Sequence, residues 1–306
     1  MKRLYSFECN HLLSIVLLIM LSGGCSNSII RETAPTPLKI GIIADCQYAD
    51  QPDNGQRLYR RSPQKLQACV DSFNRLNLDH VFHLGDFIDT DQRSFDTLHP
   101  IMARLKASYT HVLGNHDFSV TDSLKTRVPK IMGLEARYFT LEKKGWKFIV
   151  LDGNEISTYA HPENSVAHEQ SQQIYYEQYA GLPTWNGAMS EAQLDWLKHE
   201  LDSAETNYEQ VILLCHFPIH PEDSVHQLWN ASEVLQLISE YRCVKAWMNG
   251  HNHAGNYGKW NGVHFITFRG MVDTEDNSFA RLTFESDKIH IQGYGREPDR
   301  TLNLDK

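Results

Sequence analysis

The sequence predicts an α/β sandwich with mixed β-sheets and with helices on the outside. Short apolar segments rich in β-branched residues alternate with amphipathic segments over most of the chain, and three strand-like segments follow one another near its C-terminal end. Alternation of strands and helices is typical of parallel pairing, whereas consecutive strands favour antiparallel pairing. Polar residues come directly after several of the predicted strands, which indicates a site along one edge of a sheet.

The N-terminal half of this pattern contains three strands and two helices. Strands are predicted at residues 38–44, 79–84 and 110–113, and helices at residues 62–76 and 94–106. The first of these strands is apolar, as expected for a central strand that is covered on both faces. Ser62 is expected to cap the first helix, because a Ser followed by Pro in the first turn is a common helix start.

The C-terminal half adds a hairpin, two helices and five further strands. The hairpin is predicted at residues 137–152 with its turn near Gly145, and the stretch at 154–189 is expected to be an irregular, functional loop. Ser190 and Gln193 are expected to form a capping box at the start of the first helix. The helices are predicted at residues 190–204 and 232–241, and the strands at 210–215, 244–248, 263–268, 279–284 and 288–293. The last three strands are expected to be antiparallel.

Residues 1–24 are predicted to be a secretory signal. A basic start precedes an apolar run at residues 12–21, which is short for a membrane-spanning helix. Small residues then lead to Cys25, in a pattern that resembles a bacterial lipoprotein processing site. We therefore expect Cys25 to be a lipid anchor that holds an exported protein to a membrane of the cell envelope. Simple cleavage with secretion, or a retained anchor, are the alternatives. Residues 25–37 are predicted to be a tether, and residues 38–306 a single domain.

The net charge indicates which binding partners are excluded, and the cysteine spacing indicates the state of the thiols. A formal net charge of −9 argues against a nucleic-acid surface, which needs clustered Lys and Arg. An anionic substrate would therefore have to be attracted locally, for instance by metal ions. Cys46, Cys69, Cys215 and Cys243 lack the CxxC spacing of metal sites. Disulfides are permitted outside the cytoplasm, but we expect buried free thiols at Cys46 and Cys215, which lie in strand-end motifs.

Five polar clusters each follow a predicted strand. They are Asp45-Cys46-Gln47, the segment 85–89, the segment 114–117, His216, and the segment 250–253. Their carboxylates, amides and imidazoles suit a first-row divalent metal ion. Because alternate residues of a strand share a face, the side chains of Asp45 and Gln47 are expected to point at the same place.

In this order, the clusters resemble the calcineurin-like metallophosphoesterase superfamily, whose pattern is DxH, GDxxD, GNHD/E, H and GHxH. Gln47 stands where most members have His. Together with the stretches 47–50, 185–188, 229–230 and 295–300, this Asp-x-Gln resembles the narrower group of manganese-dependent ADP-ribose/CDP-alcohol diphosphatases. The resemblance extends over about residues 39–300 and implies a four-layer α/β/β/α sandwich with mixed β-sheets.

The resemblance also implies two divalent metal ions with Asp86 as their shared ligand. It assigns the first ion to Asp45, Gln47, Asp86 and His253. It assigns the second ion to Asp86, Asn115, His216 and His251. Gln47 would then be a neutral oxygen ligand in place of an imidazole, which favours Mn²⁺ over Zn²⁺, with Fe²⁺ and Mg²⁺ as further options.

For catalysis, the resemblance implies that His116 is the general acid beside the leaving oxygen and that Asp89 orients its ring. Arg60 and Arg296 are candidate substrate contacts. The alternatives are a solvated helix approach for Arg60 and a buried ion pair for Arg296.

The activity implied by the resemblance is hydrolysis of a small nucleoside diphosphate derivative, such as ADP-ribose or a CDP-alcohol, to two monophosphates. Two divalent ions would neutralise the phosphoanhydride oxygens and align the attacking and leaving groups. A phosphomonoesterase or a cyclic-nucleotide phosphodiesterase on the same scaffold is the enzymatic alternative. A metal-stabilised binding protein without activity is the alternative of another class.

Overall fold

The structure is a computed structural model that describes residues 36–222 and 225–304. The predicted signal, Cys25 and nearly all of the predicted tether lie outside these residues. The residues from Pro37 onward form one compact unit. Within the described part of the chain, no helix is long and apolar enough to cross a membrane.

The described residues form twelve β-strands and six α-helices. The strands are β1 (Leu38–Ile43), β2 (His80–His83), β3 (Ser108–His111), β4 (Phe139–Lys143), β5 (Trp146–Val150), β6 (Gln210–Leu214), β7 (Val244–Asn249), β8 (Asn256–Trp260), β9 (Val263–Thr267), β10 (Ser278–Phe284), β11 (Lys288–Gly295) and β12 (Arg300–Asn303). The helices are α1 (Ser62–Phe73), α2 (Arg93–Met102), α3 (Val128–Ile131), α4 (Val166–Ile174), α5 (Glu191–Thr206) and α6 (Ala231–Ile238).

The strands are arranged in two mixed sheets. The first sheet has the order β12-β11-β10-β1-β2-β3, in which β1, β2 and β3 are parallel and β10, β11 and β12 are antiparallel. The second sheet has the order β4-β5-β6-β7-β9-β8, with four parallel strands between the antiparallel edge strands β4 and β8. The carboxyl ends of β1, β2, β3, β6 and β7 therefore carry the five polar clusters.

Three apolar clusters show that the fold has four layers. The central cluster packs one sheet against the other through side chains such as Ile42 and Phe148. A second cluster packs α5 and α6 on the second sheet, and a third packs α1 and α2 on the first sheet. Each fully buried Leu, Ile or Phe of these clusters contributes about 1.5–3 kcal/mol of transfer free energy. The predicted α/β/β/α sandwich is confirmed.

One strand pairing was predicted wrongly. Strand β9 is not part of an antiparallel run with β10 and β11, because it lies in the second sheet, parallel to β7 and antiparallel to β8. The sequence gives no sign of β8, which is a short and mostly exposed edge strand without an apolar run. Strand β12 was missed as well, since its four residues are also too few for a visible alternation.

The stretch at 154–189 is more ordered than predicted. It contains α4, which Ser165 caps by accepting a hydrogen bond from the backbone N–H of His168, and a π-helical turn follows at Tyr175–Tyr179. Helix α4 has almost no buried side chain, so the apolar periodicity that reveals a helix is absent from its sequence.

Two helix starts also differ from the prediction. Ser62 is the first residue of α1 and not its cap, because a 3₁₀ turn at Tyr59–Arg61 leads directly into the helix. Ser190 does cap α5, but the Gln193 side chain does not complete the capping box. Gln193 is fully buried and instead exchanges two 2.9 Å hydrogen bonds with the backbone of Asp152, which satisfies both ends of its amide.

Candidate metal centre

The five polar clusters meet between the two sheets. The N–H of His251, after β7, donates to the Oδ1 of Asp45, after β1, over 3.0 Å. The Nε2 of His216, after β6, lies 3.2 Å from the Oδ2 of Asp86, after β2. Elements of both sheets therefore contribute to a single cluster of polar side chains, as predicted from the positions of the strand ends.

Asp86 is at the centre of this cluster and is almost completely buried. Its Oδ1 accepts a 2.8 Å hydrogen bond from the backbone N–H of His116, and its Oδ2 faces His216. Burial alone would raise the pKa of Asp86, but the His216 and His116 imidazoles lower it below its usual range. Asp86 is thus ionised and surrounded by nitrogen atoms.

Each of the rings of His216 and His251 has one nitrogen that faces the polar cluster, called the inward nitrogen, and one that faces away from it. The Nδ1 of His216 donates to the carbonyl oxygen of Leu84 over 2.8 Å, and the Nε2 of His251 donates to the Oδ1 of Asn186 over 2.8 Å. The inward nitrogens, Nε2 of His216 and Nδ1 of His251, lie 3.1 Å apart. Two nitrogens bound to one ion at about 2.1 Å each, and at about a right angle to each other, are about 3 Å apart. Together with Asp86, these rings offer three ligand atoms within 4.8 Å of one another.

His253 has the same outward and inward arrangement. Its Nδ1 donates to the Oδ1 of Asp273 over 3.0 Å, and its Nε2 lies 3.7 Å from the Oδ1 of Asp45. A metal-binding His usually donates its second N–H to such an acceptor, which fixes the tautomer and directs the free lone pair at the ion. All three proposed His ligands meet this condition.

Unpartnered buried atoms provide a further test of the metal assignment. Both amide atoms of Gln47 and the Oδ2 of Asp45 are buried, and within residues 36–222 and 225–304 they have no hydrogen-bond partner. Leaving such atoms unsatisfied costs about 1–3 kcal/mol each, more for a charged group. The Oδ1 of Asn115 lies 3.2 Å from the inward nitrogen of His216. This set of oxygen and nitrogen donors fits a divalent cation well.

The backbone at several of these residues is left-handed, whereas the sequence predicts an extended strand at Asp45 and Gln47. Strand β1 ends at Ile43, and Asp45 and Gln47 both have left-handed backbone angles, with φ of 50° and 44°. Asp86 and His251 are left-handed as well, with φ of 56° and 69°. The expected strand alternation is therefore wrong as the reason for the convergence of Asp45 and Gln47. Left-handed non-glycine residues are uncommon and cluster at functional sites.

Gly114 and Gly85 allow the loops to approach each other. A Cβ on Gly114 would lie 2.2 Å from the backbone nitrogen and from the Oδ1 of Asp86. A Cβ on Gly85 would lie 2.5 Å from the Nδ1 of His216, and Gly85 has a φ of +94°. Any side chain at these two positions would push the candidate ligands apart.

Asp117 is a structural residue of the site that sequence analysis did not assign. Its buried carboxylate accepts hydrogen bonds from the backbone N–H groups of Asp86, Phe87 and Gly114 at 2.8–3.1 Å. It thereby ties the loop after β2 to the loop after β3. In the sequence, Asp117 is marked only as the fourth residue of the GNHD stretch. Asp273 lies in none of the motifs, and Asn186 lies in the stretch 185–188, to which no role was assigned.

His116 and Asp89 are adjacent, as predicted. The Nδ1 of His116 lies 3.0 Å from the carbonyl oxygen of Asp89 and 3.2 Å from its Oδ1. The other carboxylate oxygen of Asp89 accepts a 2.7 Å hydrogen bond from the Nε2 of Gln51, a residue that sequence analysis did not single out. These contacts hold the His116 ring by its Nδ1 and leave its Nε2 for another group.

The two candidate substrate arginines have different surroundings. Arg60 is exposed and forms a 2.7 Å ion pair with Asp50. Arg296 is half-buried and donates from its Nη2 to the carbonyl oxygen of Gly270, beside the loop that carries Asp273. Neither contact tests a role in substrate binding. Cys46 and Cys215 are buried and free, as predicted, and so are Cys69 and Cys243.

Two cavities differ in their relation to this cluster. A cavity of about 300 Å³ is lined by polar residues that include Thr90, Ser94 and Gln51, the residue that donates to Asp89. A cavity of about 680 Å³ lies at the other edge of the sheets, near Glu205 and Leu304, and none of the candidate ligands lines it. Only the smaller of these two cavities is connected to the site, through the contact between Gln51 and Asp89.

Comparison with known proteins agrees with this geometry. Residues 38–255 match the family described as calcineurin-like phosphoesterase. The chain is 31% identical to the human manganese-dependent ADP-ribose/CDP-alcohol diphosphatase, an alignment that covers 90% of this chain and 96% of the relative. It is 29% identical to the protein of the same name from Arabidopsis thaliana, over 87% of this chain and 97% of the relative. A solved structure of a dimetal phosphatase from Danio rerio superposes with a TM-score of 0.80 and 27% identity, covering 88% of this chain and 99% of that one.

Proposed function

The chain belongs to the calcineurin-like phosphoesterase family and is a metal-dependent phosphate hydrolase, and on this basis we propose that it cleaves phosphoanhydride bonds. The proposed substrates are nucleoside diphosphate derivatives of the ADP-ribose and CDP-alcohol type, and the products are two monophosphates. The full-length similarity to diphosphatases of that name supports this substrate class.

The observation that carries the proposal is the buried amide of Gln47. Neither its oxygen nor its nitrogen has a hydrogen-bond partner among the residues that the structure describes, and it lies in the same loop as Asp45, whose Oδ2 also has none there. An amide oxygen suits a hard ion such as Mn²⁺ better than it suits Zn²⁺. Binding of a metal ion would supply the partner that the buried oxygen of this amide lacks.

We assign one Mn²⁺ to Asp45, Gln47, Asp86 and His253, and a second to Asp86, Asn115, His216 and His251. Two bound ions supply charge neutralisation for the phosphate oxygens and activation of water. The protein side chains supply the ligands and the general acid. Asp86 belongs to both proposed ligand sets, and its two oxygens face different residues, His116 and His216.

His116 is proposed to act as the general acid. Asp89 engages its Nδ1, so that the Nε2 can carry a proton to the oxygen of the departing phosphate. Proton donation of this kind is typically worth about 10²–10⁴-fold in rate. The polar cavity beside Gln51 is suited to a hydroxylated group attached to that phosphate, such as a sugar or a polyol. Arg60 and Arg296 stay candidates for contacts to the rest of the substrate.

We also propose that the protein is exported and anchored to a membrane of the cell envelope through a lipid on Cys25. The basic start, the apolar run at residues 12–21 and the small residues before Cys25 support this location.

A substrate screen tests the proposed activity. The purified protein, loaded with Mn²⁺, would be incubated with ADP-ribose, CDP-choline, CDP-glycerol, cyclic nucleotides and simple phosphomonoesters. We expect turnover of the diphosphate derivatives to equal amounts of two monophosphates. Faster hydrolysis of monoesters or cyclic nucleotides would overturn the substrate class, and metal binding without any turnover would favour a binding protein.

A further inference from the structure

We propose that Asp273 is a positioning residue of the metal site and that its carboxylate compensates for the weak ligand Gln47. This inference rests on the metal assignment made above. It concerns the ion assigned to Asp45, Gln47, Asp86 and His253, and it predicts that the contributions of positions 47 and 273 to metal affinity are not independent.

The three proposed His ligands donate to three different kinds of acceptor. His216 donates to a backbone carbonyl and His251 to the amide oxygen of Asn186. His253 alone of these three donates to a carboxylate, that of Asp273, over 3.0 Å. A carboxylate draws the N–H proton more strongly than a carbonyl or an amide does, so it makes the opposite ring nitrogen a stronger electron donor.

The strongest of these acceptors thus lies on the ion that is assigned the fewest imidazoles. That ion is assigned only one imidazole, because Gln47 supplies a neutral amide oxygen at a position suited to a second. The other ion has two imidazoles, His216 and His251. A more basic His253 would restore part of the donor strength that the amide at position 47 does not supply.

Asp273 is held rigidly enough for this role. The N–H groups of Met271 and Val272 donate over 2.9 Å to the carbonyl oxygens of Ala44 and Asp45, so the segment that carries Asp273 is bonded to the loop that carries Gln47. The Nζ of Lys65, a largely buried lysine of α1, donates to the carbonyl oxygens of Met271 and Asp273 at 2.6 and 2.9 Å. Asp273 itself is 8% exposed. Its carboxylate therefore keeps a fixed position beside His253.

A double-mutant cycle on Mn²⁺ affinity tests the proposal. The four proteins are wild type, Asp273→Asn, Gln47→His and the double variant, and Mn²⁺ binding to each is titrated by electron paramagnetic resonance of the free ion, without substrate. Asn at 273 keeps the shape and an acceptor oxygen but removes the charge. Glu297→Gln is the matched control, because Glu297 is a buried carboxylate that pairs with Arg300 at 2.7 Å and accepts a 2.9 Å hydrogen bond from the backbone N–H of Arg269.

We expect Asp273→Asn to weaken one of two Mn²⁺ sites by about tenfold or more in the wild-type background. In the Gln47→His background the loss should shrink to less than about threefold, because a second imidazole then supplies the missing donor strength. The control should bind as wild type does. Equal losses in both backgrounds, or no loss at all, would overturn the compensation. A wild-type protein that binds no Mn²⁺ would instead refute the metal assignment itself, and turnover of ADP-ribose is a separate measurement.

Discussion

The Nε2 of His216 lies 3.1 Å from the Nδ1 of His251, and each ring donates its other N–H to an acceptor outside the cluster. When a metal ion is bound, both inward nitrogens can present lone pairs to it beside the ionised Asp86. Lone pairs at this distance repel one another unless a positive charge lies between them. The hydrogen bonds at the outer nitrogens thus orient the inner nitrogens for binding a cation.

Asp86→Asn is expected to cause the largest loss of metal and activity among single ligand changes. Asp86 is assigned to both ions, so removal of its charge weakens both sites at once. Metal content by elemental analysis and kcat for ADP-ribose would be compared with those of the surface variant Asp202→Asn, which should behave as wild type. If Asp86→Asn kept two bound metal ions and a near-normal kcat, Asp86 would not be the shared ligand.

His116→Ala should leave metal content unchanged and lower kcat by about 10²–10⁴-fold. The loss should be smaller for substrates with good leaving groups, because those need less protonation as the bond breaks. His199→Ala, on the exposed side of α5, is the matched control and should have no effect. A loss of the same size on every substrate would argue against the acid role and for a role of His116 in substrate binding.

Gln47→His should change which metal ion the site prefers. Imidazole is a softer donor than an amide oxygen, so the variant should gain affinity for Zn²⁺ or Fe²⁺ relative to Mn²⁺ and keep part of its Mn²⁺-dependent activity. Competition binding and kcat/KM with each ion would measure this. Should Gln47→His and Gln47→Ala both match wild type in metal content, preference and rate, Gln47 is not a ligand.

His80 is expected to make the folded state less stable in mild acid. Burial lowers the pKa of His80 to about 4, and its ring nitrogens contact the hydroxyls of Ser108 and Thr110 at 2.7 and 2.9 Å. In the unfolded chain its pKa is about 6.5, so between these values the unfolded state binds more protons. The contribution of His80 to stability is therefore complete above pH 6.5 and is lost as the pH falls towards 4, by up to about 1.4 kcal/mol per pH unit.

Urea unfolding of wild type and His80→Asn at pH 5, 6 and 7 measures this effect. The Asn variant cannot be protonated, so its free energy of unfolding should fall less steeply below pH 6.5 than that of wild type. His83 and His111 also have lowered pKa values because of their burial, and they should leave a residual slope in the variant. Identical slopes for the two proteins would show that His80 is not held neutral in the fold.

Cys25→Ala should move the protein from the membrane fraction to the soluble fraction. The variant removes the thiol to which a lipid would be attached, and the rest of the N-terminal segment stays as it is. Immunoblots of fractionated cells would show the distribution, with Ser26→Ala as a neighbouring control. Unchanged fractionation of Cys25→Ala would point to an uncleaved N-terminal anchor.

The sequence alone determined the class of fold, the strand ends that carry polar residues, and the residues proposed as ligands. These features depend on local order along the chain: apolar runs reveal strands, and motifs such as Gly250 to His253 keep their spacing in any context. Elements without an apolar face, such as α4 and the edge strand β8, could not be predicted, since their sequences have no periodicity to detect.

The tertiary structure alone decided which atoms meet and what supports them. His251 and Asp45 are 206 positions apart and share a hydrogen bond because both sheets end at the same edge. The acceptors behind the His ligands, Asn186 and Asp273, come from segments with no metal-binding motif of their own. Such contacts depend on how two sheets and their loops pack. A single sequence records the residues that pack, but not the distances between them.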